Sequence, residues 1–342
     1  MPSPLLHDRF HLSLWLPLLL LLLLAAVNLM WGSVPTTPAD VAQAFAGDES
    51  GAAAYIVRHV RLPQLFTAAL SGGALAAAGL VMQTVFANPM ADPSLLGVNA
   101  GAGLGAAVAM LLLGGSWATG HLVLSGFWLT VMASAAGALA VIVLLAAFSA
   151  LLHGTLQLLV AGVMISFGVS AIISILSFYS TAEGVQSFVV WGMGDFSGVT
   201  TERLPAFGLT VGTLLLLLLS SQTKPLNALL LGADYARNLG ISVRRSRTLS
   251  LMLAALLCAT VTAMCGPVSF IGLAAPHVAR LIHHTADHRR LLPLTVMWGA
   301  DIALLAAALT HLPGNRGVLP LGAITPLVGV PVVLMLLCRR RA

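Results

Sequence analysis

Stretches of about 20 residues without one charged side chain recur along this chain, and each is roughly what a helix needs to cross the hydrocarbon core of a bilayer. Asp, Glu, Lys and Arg make up 8% of the 342 residues, against 58% apolar, more apolar surface than a water-soluble core can hide. The chain therefore reads as an all-α, polytopic membrane protein, one transmembrane domain over 1–342. Hydropathy marks ten candidate spans in one compact bundle: 12–31, 62–87, 95–114, 122–150, 156–178, 204–221, 248–264, 267–282, 291–310 and 318–338.

The few charges test that count. If the N-terminus is inside and every span crosses, the inner side receives Arg9, Lys224, Arg237, Arg244, Arg245, Arg247, Arg280, Arg289, Arg290, Arg339, Arg340 and Arg341. The outer side receives only Arg58, Arg61, Arg203 and Arg316. Twelve against four is the asymmetry of the positive-inside rule, and it places both termini on the cytoplasmic side of the membrane. The net charge of +5 thus belongs to cytoplasmic loops beside membrane lipid and does not indicate nucleic acid. The first span lacks a small-residue cleavage site and is followed by Trp31, so it reads as a retained helix. Cys258, Cys265 and Cys338 all sit in apolar stretches without a C-x-x-C pair, as small helix residues do.

Gly72, Ala76 and Gly79 share one helix face, and Gly97, Gly101 and Gly105 form two overlapping G-x-x-x-G steps. Such faces let helices approach closely where lipid supplies no hydrophobic drive for association. Two stretches break the helical pattern near membrane depth: Gln83 to Pro93, with Asn88-Pro89, and Gly266 to His277, with Pro267 and Pro276. Their freed backbone groups need protein or a water-filled cavity, so each is expected inside the bundle or at its mouth. A pathway lining and a plain kinked helix both satisfy that requirement.

Several chemistries lack their parts. The one lysine, Lys224, follows no glycine-rich turn, so this chain has no P-loop, and ATP-driven work requires a partner that carries ATP and magnesium. No cofactor and no metal are expected on the chain itself. His283, His284 and His288 lie together beside Arg289 and Arg290, which reads as a solvated basic loop; His277 reads as structural or as a partner contact. Gly192-Met193-Gly194-Asp195 matches the G-x-G-D string of one class of intramembrane aspartyl proteases, but that chemistry needs a second, facing Asp. Asp301, well inside a late span, admits two readings: a satisfied buried carboxyl, or a proton relay in a proton-coupled secondary transporter.

The inner loop 222–247 is the most informative polar segment. Pro225 to Gly232 and Ala233 to Gly240 read as two short amphipathic helices, broken at Gly232 and ended at Gly240. Short cytoplasmic helices with one apolar side suit a groove on a soluble partner, or the membrane surface.

These segments, in this order, resemble the FecCD/BtuC-type permeases, the membrane subunits of type II ABC importers for iron chelates, haem and vitamin B12. The matching strings are Arg61-Leu62-Pro63, Gln83 through Gly97, Leu159 to Val163, Leu226 to Gly240, Phe270 to Leu273 with Pro276, His277 and Arg280, Asp287-His288-Arg289 with Leu291-Leu292-Pro293, and Leu319 to Gly322 with Thr325. The resemblance implies the type II importer permease fold, a homodimer with the path on its two-fold axis, two cytoplasmic ABC ATPase subunits and a periplasmic or lipoprotein substrate-binding protein. It implies ATPase coupling through Asn227, Leu231, Gly232, Asp234, Ala236, Arg237, Leu239 and Gly240. It implies a path and gate at Gln83, Asn88, Pro89, Met90, Thr155 and Leu156, and binding-protein docking through Arg58, Arg61 and Arg316. The chain departs from the family at Gln64, Leu304-Leu305 and Val318, where charged residues are usual. The expected activity is transport by alternating access without chemistry on the cargo, with a ferric siderophore as first cargo and haem and cobalamin next.

Overall fold

In a computed structural model of the chain, residues 5–34, 36–47, 51–93, 97–119, 122–151, 155–312 and 317–339 are described. Helix α1 (Leu5–Met30) leads to two short helices, α2 (Pro38–Ala46) and α3 (Ala52–Ile56). A π-helical turn, Val57–Arg61, joins α3 to α4 (Leu62–Val85), and a second, Val108–Leu112, extends α5 (Val98–Ala107). Then come strands β1 (Ser116–Thr119) and β2 (Leu122–Ser125) and helices α6 (Gly126–Leu151), α7 (Thr155–Tyr179), α8 (Ala182–Gly192) and α9 (Leu204–Leu230). Helices α10 (Ala233–Asn238), α11 (Val243–Cys265), α12 (Ile271–His283), α13 (His288–Thr310) and α14 (Leu321–Arg339) complete the chain.

Helix α4 is the axis of the bundle. Its small residues are buried almost without interruption from Thr67 to Val85, which lets α9, α11, α12 and α13 close around it. Gly72 faces Gly299 of α13 so closely that a Cβ there would sit 2.2 Å from the Gly299 carbonyl oxygen. One and two turns on, Ala76 meets Gly299 again and Gly79 meets Gly272 of α12, where a Cβ would come within 1.8 Å of the carbonyl oxygen. The small-residue face is therefore a packing face. In contrast, α7 and α9 bury little: Phe167, Ile175, Phe178, Leu209 and Leu216 all stand exposed on the chain, as apolar residues facing lipid or another membrane subunit do.

Each expected span overlaps a helix, with two corrections to the spans and one to the inner loop. Residues 122–125 are strand: Gly114 and Gly115 before β1 and Gly126 after β2 all take positive φ, and β1 and β2 pair antiparallel from Ser116↔Ser125 to Thr119↔Leu122. The segment 267–282 is not one helix. Gly266 to Phe270 runs without helical structure, and the 13 residues of α12 reach about 20 Å, short of the roughly 30 Å hydrocarbon core. Residues 226–230 are not a separate short helix but the end of α9, which continues through Pro225 because Ala228 and Leu229 pack against Ala236 and Val243. Six described helices are long and apolar enough to cross a membrane; Trp15–Met30, Val98–Leu112 and Leu321–Pro331 are shorter apolar helices.

The two ends of the bundle differ in charge. One end gathers the last turns of α4, α9 and α12 and the first turns of α11 and α13, with Lys224, Arg237, Arg244, Arg245, Arg247, Arg280, Arg289 and Arg290. The opposite end holds Arg58, Arg61 and Arg203 among the described residues.

Candidate functional site: the basic end of the bundle

Helix α4 ends in a cap that fixes the turn after it. Ala87 takes a left-handed conformation (φ 47°), its N–H donates to the Thr84 carbonyl (3.2 Å), and the Asn88 N–H donates to that of Gln83 (3.1 Å). This double bond usually uses glycine at the left-handed position; alanine there costs about 1 kcal/mol, so the tertiary contacts hold the turn. Pro89 then prevents the helix from resuming. The Asn88 side chain accepts from the Met90 N–H (2.9 Å), which leaves Met90 exposed at the tip.

Helix α12 holds that turn from the side. Arg280 donates to Gln83 Oε1 (2.6 Å), Gln83 Nε2 reaches the Leu273 carbonyl (3.4 Å), and His277 Nε2 donates to the Pro89 carbonyl (2.9 Å). Gln83 is thus buried and joins two helices; Asn88, Pro89 and Met90 form the accessible part of the expected gate. Thr155 and Leu156 open α7, and their side chains lie outside the described residues.

The expected coupling residues divide into two faces. Tyr235 and Leu239, one turn apart at α10, are 50% and 57% exposed, and Leu231, before the break at Gly232, is 65% exposed; together they form an exposed apolar stripe. Asp234 and Arg237 pair beside it (2.6 Å), both in solvent, where such a pair contributes little to stability. Gly232 (φ 105°) and Gly240 (φ 78°) bracket α10 in conformations that side chains resist, with open space around both, so the constraint there is the backbone itself. Two residues depart from the partner-contact expectation. Ala236 is fully buried against Ala228, Leu229 and Val243, because a short helix keeps its place only by burying one face. Asn227 also turns inward: its Nδ2 donates to Asp287 Oδ1 (2.5 Å), and its Oδ1 accepts from the His288 backbone N–H (2.7 Å) and ring Nδ1 (2.9 Å).

Asp287 caps α13 through the Arg289 N–H (3.0 Å). Partial burial would raise its carboxyl pKa, but the bonds from Arg289 N–H and Asn227, with the charges of Arg289 and Arg290, hold it below the usual carboxylate range. His288 departs most from its expected place in a solvated loop. It is 1% exposed, and its Nε2 lies 2.8 Å from Thr84 Oγ1, the residue next to Gln83 on α4. Sequence reasoning missed this residue; the signal was its spacing, three and four residues before the buried Leu291 and Leu292 on one helix face.

At the opposite end, Arg61 corrects the docking expectation. It is 6% exposed, and its guanidinium donates to the carbonyls of Leu29 (2.6 Å) and Val34 and to Thr36 Oγ1 (2.7 Å). The π-helical turn that contains it swings the side chain inward, where it ties the end of α1 to α4. Arg58, three residues earlier, is exposed; Arg316 lies outside the described residues. Asp195 is exposed and closes a local turn onto Ser197 through both carboxylate oxygens. Asp301 is 2% exposed, and neither of its oxygens has a hydrogen-bond partner.

The FecCD transport family model matches residues 18–339. This chain belongs to that family. It is 36% identical over 286 residues to the vitamin B12 import system permease protein BtuC of Salmonella typhi, covering 83% of each chain. Its identity to the protein of the same name from Klebsiella pneumoniae subsp. pneumoniae is also 36%, over 282 residues and 82% of each. Among solved structures, a metal-chelate type ABC transporter in an inward-facing conformation is similar with a TM-score of 0.81 and 28% identity, over 95% of this chain and 98% of that one. PsaBC from Streptococcus pneumoniae shares the fold at 14% identity and a TM-score of 0.56, over 86% and 94% of the two chains. The protein is accordingly a multi-pass inner-membrane permease of a type II ABC importer.

Proposed function

We propose that this permease moves a bulky metal chelate inward, with a ferric siderophore as first cargo, driven by two ATPase subunits docked on its basic end. The observation that carries the reading is the exposed stripe of Leu231, Tyr235 and Leu239, held outward by the buried Ala236 and bracketed by Gly232 and Gly240. Exposed apolar side chains beside an exposed ion pair at the basic end suit a groove on a soluble partner. With that end cytoplasmic, the termini of the chain are cytoplasmic as well, and the exposed Arg58 end faces a substrate-binding protein. A homodimer supplies the second half of the path. ATP closes the partner subunits, the two α10 segments move with them, and the turns at Asn88 to Met90 part or close around the axis. Cobalamin is the second cargo reading, favoured by the vitamin B12 permeases at 36% identity.

The test is reconstitution in liposomes with the ATPase subunit and the binding protein, followed by ATP-dependent uptake of labelled ferric siderophore, haem and cobalamin in parallel. Uptake of one cargo that needs both partners supports the reading and chooses the cargo. Gly232→Val, Arg237→Glu or Gly240→Val should insert normally yet hydrolyse ATP without transport. Uptake driven by a proton gradient without the ATPase would overturn it.

A further inference from the structure

The coupling segment and the gate turn are joined by one line of hydrogen bonds, half-buried at Asn227 and buried at His288 and Thr84. It starts at Asn227 at the end of α9, just before the exposed stripe. It passes through the His288 backbone and ring at the first turn of α13 and ends at Thr84 on the last turn of α4. Thr84 is next to Gln83, and its own carbonyl accepts the Ala87 N–H, so it is part of the cap that shapes the gate turn. His288 and Thr84 are both buried, at 1% and 6% exposure, so water does not compete for the bond between them.

The proton inventory gives the line a direction. Asn227 Oδ1 can only accept, so the His288 Nδ1 carries a hydrogen. In the neutral ring Nε2 is then the acceptor and takes the Thr84 hydroxyl proton. That hydroxyl has a second acceptor, the Leu80 carbonyl one turn back on its own helix, at 2.9 Å. A hydroxyl has one proton and can serve only one of the two at a time. If α13 draws back, Thr84 turns to Leu80 and stays satisfied, as threonine readily does within a helix. The link is therefore specific when closed and inexpensive for α4 to open.

We propose that Asn227, His288 and Thr84 are the transmission link of this permease: His288 positions the α4 end against the coupling segment, and the Thr84 hydroxyl is its releasable end. This rests on the coupling role proposed above for α10. A hydrogen bond between two helix ends transmits displacement only if both ends are otherwise anchored. Here they are, by Asp287 on the Asn227 side and by Arg280–Gln83 on the gate side.

The experiment reads the gate directly and needs no identified cargo. A cysteine at Met90, in a Cys338→Ser background, is labelled with a maleimide in the complex with its ATPase subunits, with and without ATP plus vanadate. The nucleotide should change the labelling rate in this parent. His288→Asn keeps a donor where Nδ1 stands but cannot reach Thr84; Thr84→Val removes the hydroxyl at constant shape. Each should cut the nucleotide response by about five- to tenfold, the factor carried by one net hydrogen bond. The double variant should be no worse than either single one, Thr84→Ser should restore the response, and ATP hydrolysis should persist throughout. A lowered thermal stability with the full nucleotide response in both single variants would overturn the proposal, because the line would then be packing alone. A parent that ignores nucleotide would instead refute the coupling reading beneath it.

Discussion

Replacing Gly79 by alanine tests how the bundle is held together, because the cost follows from one contact. A Cβ at this position would lie 1.8 Å from the Gly272 carbonyl oxygen and 2.5 Å from its carbon, both backbone atoms that cannot rotate away. To regain ordinary contact, α12 must retreat from α4 by about 1.5 Å. Overpacking on this scale costs about 1–3 kcal/mol. The retreat also breaks the Arg280–Gln83 bond two turns on, a charge-assisted bond contributing about 1.5–3 kcal/mol. Alanine's better helix propensity returns only about 1 kcal/mol, so the net loss is about 1.5–5 kcal/mol. Gly212→Ala on α9 is the control, since a Cβ there meets nothing within 4 Å; it should be neutral or stabilising by up to about 1 kcal/mol. The assay is thermal unfolding in detergent at a fixed scan rate, read with a thiol-reactive dye, for which the buried Cys258 and Cys265 are natural reporters. Equal midpoints for the two variants would refute the claim that close backbone approach at this crossing holds the bundle together.

Two further outcomes separate competing roles. Asp301→Asn should leave ATP-driven uptake intact, and Asp301→Leu should raise the unfolding midpoint, because a buried carboxyl without partners costs about 1–3 kcal/mol; loss of uptake in Asp301→Asn would favour proton coupling. Arg61→Met should lower stability by at least about 2 kcal/mol while Arg58→Glu leaves it unchanged and weakens binding-protein affinity, and the reverse pattern would restore Arg61 as the docking residue.

Much of the fold was legible because lipid removes alternatives. Without water to satisfy the backbone, a long uncharged run that crosses lipid reads as a helix, and the sorting of Arg and Lys between loops follows from the membrane rather than from packing. The small-residue face of Gly72, Ala76 and Gly79 was legible for the same reason, since only side chains that leave room for a neighbouring backbone recur at that spacing. The bounds of α10 were readable from Gly232 and Gly240, whose positive φ values are local properties of glycine.

What the sequence left open depended on partners distant in the chain. Arg61 looked like an outer docking charge, yet a π-helical turn and three acceptors contributed by residues 29, 34 and 36 turn it inward. Pro225 read as the start of a separate short helix, but the packing of Ala228 and Leu229 on α10 and α11 makes it part of α9. His288 looked like one of three solvated loop histidines; only the meeting of α4, α9 and α13 reveals it between Asn227 and Thr84, residues 61 and 204 positions away. The sequence by itself determined that the chain spans a membrane, which end is basic, and where its helices begin to fail. The tertiary structure alone decided which polar side chains face a partner and which join helices. That choice depends on the burial and geometry of contacts between distant segments, which no local pattern encodes.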